Sequence, residues 1–464
     1  MPISRIKATI KQALGRLVRR FEKPWKPNPG DWQLSASEQG LALHGVALQP
    51  LVEEYGSPLH VVDVAKLESN AKAVIDARSA AGARAQFLCS YKTNPIPGVL
   101  ERLHACGAGA DVVSEFELWL ALRLQVPPQS IVYNGPVKSA ESLQIAIEAG
   151  VACINANSLA ELQRIADIAQ GLDKPVNVGL RVALQGGWDG QFGLPQHSQA
   201  LDQAVELARD HSHLNLIGLH VHRGHWIRSK DELIAHVQAL MDVREQLQTA
   251  HLVSFSVVDL GGSLACPTVD SNRGLRFRLN RTFLMELPPP PPAITPAEYA
   301  RIALDTVAEC AGNHAAPEVI LEPGRGITGN TQIMLCTVAD IKPSTQGFDY
   351  VIVDAGIHNA ESMCNENHAI FPLQSRSGSD TQRYRLTGPL CTPADVLRNS
   401  ITLPRLQIGD RLAIMDSGAY FVPFSSSFSY PRPGVVALDG DLISPLTARE
   451  TFSDVIARDR VKNE

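Results

Sequence analysis

The stretch Phe87 to Pro97, FLCSYKTNPIP, sets one lysine, Lys92, between an apolar run and a polar turn. A lysine placed there can do two things. Its stem can cover apolar surface while its head reaches water, or its partly desolvated amine can act as a nucleophile toward a carbonyl group. Position alone does not choose. Further groups with chemical uses end later apolar runs: Asp111 and Ser114 the second, Arg181 the fifth, His220 and His222 the sixth, Gly261 and Gly262 the seventh, and Glu322, Gly324 and Arg325 the eighth. Singly, each has an ordinary explanation as a turn residue or a strand-end ion pair. Together they suit a phosphorylated pyridine aldehyde, with glycine amides and Arg325 for the phosphate, His222 to stack, Glu322 for the ring nitrogen and Lys92 for the aldehyde.

Such a set needs a scaffold that brings strand ends to one place. Between Phe87 and Glu322 short apolar runs alternate with helical patterns: QFLCSYK, ADVVS, SIVYNG, ACINA, NVGLRV, LIGLHVH, FSVVDLGG and VILEPG. Eight such units predict a (β/α)8 TIM barrel, whose active-site loops grow from the strand C-termini. Ser139 and Ser158 stand where helix N-caps belong, with Ser158 and Glu161 spaced as a capping box. Five consecutive prolines, Pro288 to Pro292, fit neither helix interior nor central strand. They mark an insertion or lid over about residues 265–297. Beyond residue 330 the runs QIMLCTVADIK, YVIVDAG, YRLTGP, DRLAIMDSGAY and GVVALDG predict an all-β domain, a sandwich or barrel. The expected division is a segment 1–60 joining the β domain, a barrel over 61–330 and the β domain over 331–464.

Composition narrows the function class. The 464 residues are 44% hydrophobic and 19% charged with a formal net charge of −6, so nothing asks for nucleic acid as a partner. The eight cysteines form no CxxC pair, which points away from a zinc cage or disulfide framework and toward a reducing cytoplasm, and no metal is expected. No apolar run is long enough to span a bilayer. Near the N-terminus Ile3, Ile6, Ile10, Leu14, Leu17 and Phe21 recur at helical spacing among basic residues, predicting an amphipathic helix that docks on protein or on an acidic membrane surface.

The motifs SYKTNP, NGPVKSAESLQIAIEAG, INANSLAEL, GLHVHRG, DLGG, LEPGR, GPLCTPADVL and SGAY occur in the order found in the alanine-racemase-like, fold type III pyridoxal-phosphate enzymes. Within them the chain resembles the ornithine and diaminopimelate decarboxylase family, over nearly its whole length. The resemblance implies pyridoxal 5'-phosphate as cofactor, Lys92 as its Schiff-base lysine, His222 on its ring and Glu322 at its pyridine nitrogen. Asp111, Arg181, Gly261, Gly262, Gly324, Arg325 and Tyr420 complete the implied cofactor contacts. It also implies that Cys391 reprotonates the carbanion after carbon dioxide leaves, and that each site is completed by the second subunit of a homodimer.

Departures from the family concern the substrate. Thr392 follows Cys391 where the family has an acidic residue, His225 replaces a serine, Ser263 a glycine, and Gly326 stands where a tyrosine is frequent. Thr392, Asp395 and His225 are the candidate substrate contacts, with Trp226, Arg228 and the proline-rich insertion as candidate pocket wall. These changes lead us to expect a decarboxylase of a non-standard, conjugated or carrier-bound amino acid in specialised, siderophore-type biosynthesis. The alternatives are a diaminopimelate or ornithine decarboxylase of primary metabolism, an amino-acid racemase, and a non-catalytic binding homologue.

Overall fold

The computed structural model describes residues 13–15, 17–81, 84–187, 190–224, 226–271, 274–374 and 380–460. Most of the expected N-terminal helix, and His225, lie outside them. Two compact units emerge, one from Lys66–Pro267 with Pro292–Thr328, the other from Met1–Ala65, Thr268–Pro291 and Gly329–Glu464.

The first unit is a closed parallel barrel. Its strands are β1 (Ala85–Ser90), β2 (Gly109–Val112), β3 (Ile131–Tyr133), β4 (Cys153–Ala156), β5 (Val176–Ala183), β6 (Leu214–His220), β7 (Val257–Asp259) and β8 (Glu318–Leu321). Each pairs with the next in parallel, β4 with β5 included, and β8 closes on β1. All eight apolar runs of the sequence become strands. Leu88, Val132, Cys153 and Ile320 pack together inside. Register then lines up the chemistry: Ser90 pairs with Asp111, Arg181 with His220, and His220 with Asp259. One row of polar side chains therefore closes the barrel at its strand C-termini.

Helices cover the outside, and their starts are written in the sequence. α1 (Pro97–Ala105) opens with proline. α2 (Glu115–Arg123), α3 (Ala140–Ala149), α4 (Leu159–Leu172), α5 (Gln199–Asp210), α6 (Lys230–His251) and α7 (Pro296–Ala311) follow Ser114, Ser139, Ser158, Ser198, Ser229 and Thr295, each accepting a first-turn amide. Each such cap stabilises by about 1 kcal/mol. The expected box at Ser158 is only half made. Ser158 accepts from Glu161 N, but the Glu161 carboxylate turns to Asn157 N and Lys138 Nζ.

The second unit is a mixed sheet ordered Val396–Pro404, Thr381–Thr387, Asp349–Val353, Gln332–Lys342, Leu59–Asp63, Gly434–Asp439, Leu442–Thr447, with Arg411–Ile414 paired to Gln332–Lys342. Leu59–Asp63 comes from the segment before the barrel and runs antiparallel to Gln332–Lys342. Two apolar layers, one around Leu48, Leu59 and Leu335 and one around Val351, Leu386 and Leu412, flank the sheet. The long insertion does not stay with the barrel unit as the sequence division had it. Asp270–Ser271 pairs with Glu366–Asn367, and Arg383 donates to Leu284 O, so Thr268–Pro291 belongs to the β unit. Backbone pairing and a half-buried arginine outweigh chain order here.

Candidate active site at the strand ends of the barrel

Lys92 lies two residues past β1, in a short 3-10 turn. Its Nζ donates to Asp111 Oδ2 at 2.5 Å, and Ser90 Oγ donates to the same oxygen at 2.5 Å. Asn134 Nδ2 donates to Asp111 Oδ1 at 2.8 Å. Burial works to raise the Asp111 carboxyl, but the Lys92 charge and these hydrogen bonds outweigh it and hold the group below the usual carboxylate range. The pair is thus ionised with nothing but protein around the carboxylate.

Glu322, just past β8, is fully buried, and its Oε1 accepts from Asn134 Nδ2 at 2.6 Å. Burial first, then the neighbouring Asp111 and Asp259 carboxyls, push it well above its ordinary value. Asp259 is pushed up to about 7, by burial and by Asp111. It accepts from Gly261 N at 3.0 Å and Asn155 Nδ2 at 3.2 Å. Burial and the two neighbouring carboxyls outweigh the Lys92 charge and favour the protonated form of Glu322.

Two histidines face this acid cluster. His220 is buried, its Nε2 lies 3.8 Å from Glu322 Oε2, and neither ring nitrogen has a hydrogen-bond partner. His222 keeps some exposed surface, accepts from Gly262 N at 3.4 Å, and is pushed down to about 3 by burial and the charges of Lys92 and Arg181. Both rings are neutral. Arg181 is buried with its guanidinium over the Phe192 ring at 4.6 Å.

Glycine is required where the backbone is approached closely. A Cβ on Gly261, at φ +61°, would sit 2.4 Å from Val221 O, one on Gly262 2.2 Å from Glu322 O, and one on Gly324 2.5 Å from Thr93 Cγ2. Gly326 has a different reason. Its Cβ would meet Leu264 Cγ at 2.4 Å, so Leu264 fills the volume a side chain there would take.

Lys92, Asp111, Arg181, His222, Gly261, Gly262, Glu322, Gly324 and Arg325 are therefore gathered at one rim of one unit. Cys391, Thr392, Asp395 and Tyr420 belong to the other unit. There Cys391 is exposed and Thr392 Oγ1 accepts from Ala394 N at 3.3 Å. Tyr420 is half-buried at φ +69°. Asp395 is buried, and its two oxygens accept from Ile357 N and Leu390 N at 2.8 and 2.7 Å, which occupies it in shaping the turn before Cys391.

Sequence reasoning did not single out Asn134, Asn155 or Asp259, although they tie the acids together. Asn155 Nδ2 donates to Asn134 Oδ1 at 2.8 Å and to Asp259. Their signal was available as polar residues closing apolar runs, in VYNG, INA and VVDLGG. The donor atoms of His220, His222 and Glu322 lie within 4.8 Å of one another, a spacing a metal ion could also share.

The site fits pyridoxal phosphate on two observations. His220 has buried nitrogens with no hydrogen-bond partner among the described residues, and Glu322 is an acid that burial and neighbouring carboxyls hold above its ordinary value, a group suited to sit beside a protonated ring nitrogen. A family model described as pyridoxal-dependent decarboxylase, pyridoxal binding domain, matches residues 66–329. The diaminopimelate decarboxylase of Archaeoglobus fulgidus is 28% identical over 445 residues, covering 92% of this chain and 98% of that protein. The L-glutamyl-[BtrI acyl-carrier protein] decarboxylase of Niallia circulans is 24% identical over 429 residues, covering 88% and 94%. Among solved structures, diaminopimelate decarboxylase from M. jannaschii in complex with L-lysine superposes with a TM-score of 0.82 at 25% identity, covering 92% of this chain and 98% of that one.

Proposed function

The chain belongs to the fold type III pyridoxal-phosphate-dependent decarboxylases, in the ornithine and diaminopimelate decarboxylase family, and from that premise we propose that it decarboxylates a free diamino dicarboxylic acid of the diaminopimelate class. It is an amino-acid decarboxylase, which settles the choice against a racemase or a binding homologue. The observation that carries the substrate is the end-to-end likeness to diaminopimelate decarboxylases, 98% of the A. fulgidus protein included. Of the relatives described above, none bears a siderophore name, so that part of the expectation is given up. A carrier-bound acid is the second reading, supported by Thr392 after Cys391 and by the likeness to the carrier-protein glutamyl decarboxylase.

Pyridoxal phosphate, when bound, supplies an electron-accepting ring that stabilises the carbanion left by departing carbon dioxide. The chain's residues do the rest. Lys92 would hold the aldehyde through Nζ, positioned by its hydrogen bond to Asp111. Glu322, as a carboxylate beside the ring nitrogen, would keep that nitrogen protonated. His222 would pack its neutral ring on the cofactor, and Arg181 offsets the charge of the nearby acids. Gly261, Gly262, Gly324 and Arg325 would hold the phosphate. By the family likeness Cys391 would be the proton donor to the reacting carbon, and it would come from the second chain of a homodimer. Among the described residues no helix is long and apolar enough to cross a membrane.

The test is carbon dioxide release by the reconstituted protein from meso-diaminopimelate, ornithine, lysine and carrier-bound glutamate, with Lys92→Ala as control. Release from meso-diaminopimelate with lysine as product is expected. Release from the carrier-bound acid alone would overturn the first reading in favour of the second. Shared sites predict that inactive Lys92→Ala and Cys391→Ala chains regain activity when mixed.

A further inference from the structure

Asn134 stands one residue past β3, and the chain turns away from the barrel rim straight after it. Its N–H donates to Val112 O at 2.7 Å, and a Cβ on Gly135, at φ +98°, would sit 2.3 Å from Val113 O. Only glycine makes that turn. The Asn134 side chain is buried, and its amide is held on three sides. Nδ2 donates to Asp111 Oδ1 at 2.8 Å and to Glu322 Oε1 at 2.6 Å, while Oδ1 accepts from Asn155 Nδ2 at 2.8 Å. Asn155 Nδ2 donates in turn to Asp259 Oδ2 at 3.2 Å. The Asn134 amide cannot be turned over, because its oxygen would then face two carboxyls and its nitrogen another amide nitrogen.

The importance of this amide follows from how little else favours a charge on Glu322. Burial and the carboxyls of Asp111 and Asp259 work against its anion, and the influences on the other side are the Lys92 charge and the Asn134 hydrogen bond. The Lys92 charge is shared, since Nζ already meets Asp111 Oδ2. His220 Nε2 stands 3.8 Å from Glu322 Oε2, beyond hydrogen-bond reach, and its ring is neutral. That leaves one N–H donor on the Glu322 carboxyl among the described residues, and Asp111 and Asn155 hold it in place. A donor fixed in this way needs no reorganisation when the acid ionises.

We propose that Asn134 is a positioning residue whose clamped amide lets Glu322 stand as a carboxylate beside the cofactor's ring nitrogen, so that the proton between them rests on the nitrogen. Because the same Nδ2 donates to Asp111, the acid at Lys92 and the acid at the ring share one orienting group. The role acts through Glu322 and needs no contact with cofactor or substrate. It rests on the placement of Glu322 at the ring nitrogen used above, not on the choice of substrate.

The experiment is nitrogen NMR, at neutral pH, of the holoenzyme carrying pyridoxal phosphate isotopically labelled at the ring nitrogen, with melting temperatures measured on the same samples. Wild type is expected to give the signal of a protonated ring nitrogen, and Glu322→Gln that of an unprotonated one. Asn134→Leu, similar in shape but without donors, should shift the proton about tenfold or more toward Glu322, and the signal with it toward that of Glu322→Gln. Asn134→Ala, which does not crowd the site if leucine disturbs folding, should move the signal the same way. A folded Asn134 variant whose signal stays at the wild-type position would overturn the proposal. A lowered melting temperature with the signal unmoved would do the same, because that is what a merely structural asparagine gives. Failure of the underlying cofactor placement is distinct: Glu322→Gln itself would then leave the signal where wild type has it.

Discussion

Two lysine–carboxylate pairs sit in the same barrel, built from the same chemistry, and they have opposite surroundings. Lys138 Nζ donates to Glu161 Oε2 at 2.9 Å, to Asn155 O at 2.9 Å and to Gly135 O at 3.2 Å, which uses all three of its N–H bonds. Its side chain is 0% exposed. Lys92 Nζ meets Asp111 at 2.5 Å, yet its side chain is 29% exposed. Around Lys138 every neighbour is satisfied by protein. Around Lys92 stand Glu322 and Asp259, raised acids, and His220 with two unpartnered nitrogens. Ion pairing alone does not tell these two lysines apart. Access, and unmet polar groups nearby, do.

The sharpest way to break this comparison is to remove each lysine in turn. Lys92→Ala should lower turnover by more than about a thousandfold and abolish the visible band formed with pyridoxal phosphate, with a smaller loss of stability than Lys138→Ala because Ser90 and Asn134 still donate to the Asp111 carboxylate. A variant that still turned over would make Lys92 merely a surface lysine. Lys138→Ala should do the reverse, costing about 3–5 kcal/mol because Glu161 is left buried and unpaired. The double variant Lys138→Met/Glu161→Leu should lose clearly less, and equal losses in urea melts would argue that packing, not charge, makes Lys138 necessary.

A third measurement sharpens the electrostatic side. The folded, ligand-free chain holds a proton on Asp259 up to about pH 7, whereas an unfolded aspartate loses it near pH 4. Folding therefore binds a proton between those values, and stability falls as pH rises from about 4 to about 7, then levels. Asp259→Asn should remove that fall, so the melting temperature of wild type relative to the variant declines across this window. A difference independent of pH would show that Asp259 is ionised throughout. The smallest expected effect is at Ser263→Gly, where relief of the left-handed backbone offsets loss of the bond to Gly224 N. The net change should stay within about 1 kcal/mol by thermal melting, with a larger loss assigning Ser263 more than a local role.

Much of the barrel was legible in the chain. Its strands are short β-branched runs closed by polar or glycine residues, and its helices are announced by Ser or Thr caps, both of which are local signals that tertiary packing reinforces. That the candidate residues at strand ends share one rim was legible for the same reason, since a barrel strand can only deliver its last residues there. Asn134, Asn155 and Asp259 were not, because an asparagine closing a strand reads the same whether its amide meets water or ties two acids together. The insertion was misplaced because composition marks a break in a unit without saying which sheet edge will take the strand it carries.

What the sequence determined by itself is the inventory: one lysine in SYKTNP, a glutamate and arginine in LEPGR, paired glycines in DLGG, and the alternation that orders them. What only the tertiary structure decided is their state. Register set His220 between Arg181 and Asp259, burial held Glu322 neutral, and access separated Lys92 from Lys138. Charge and reactivity depend on distance and on water, and neither is a property of residues until the chain has folded around them.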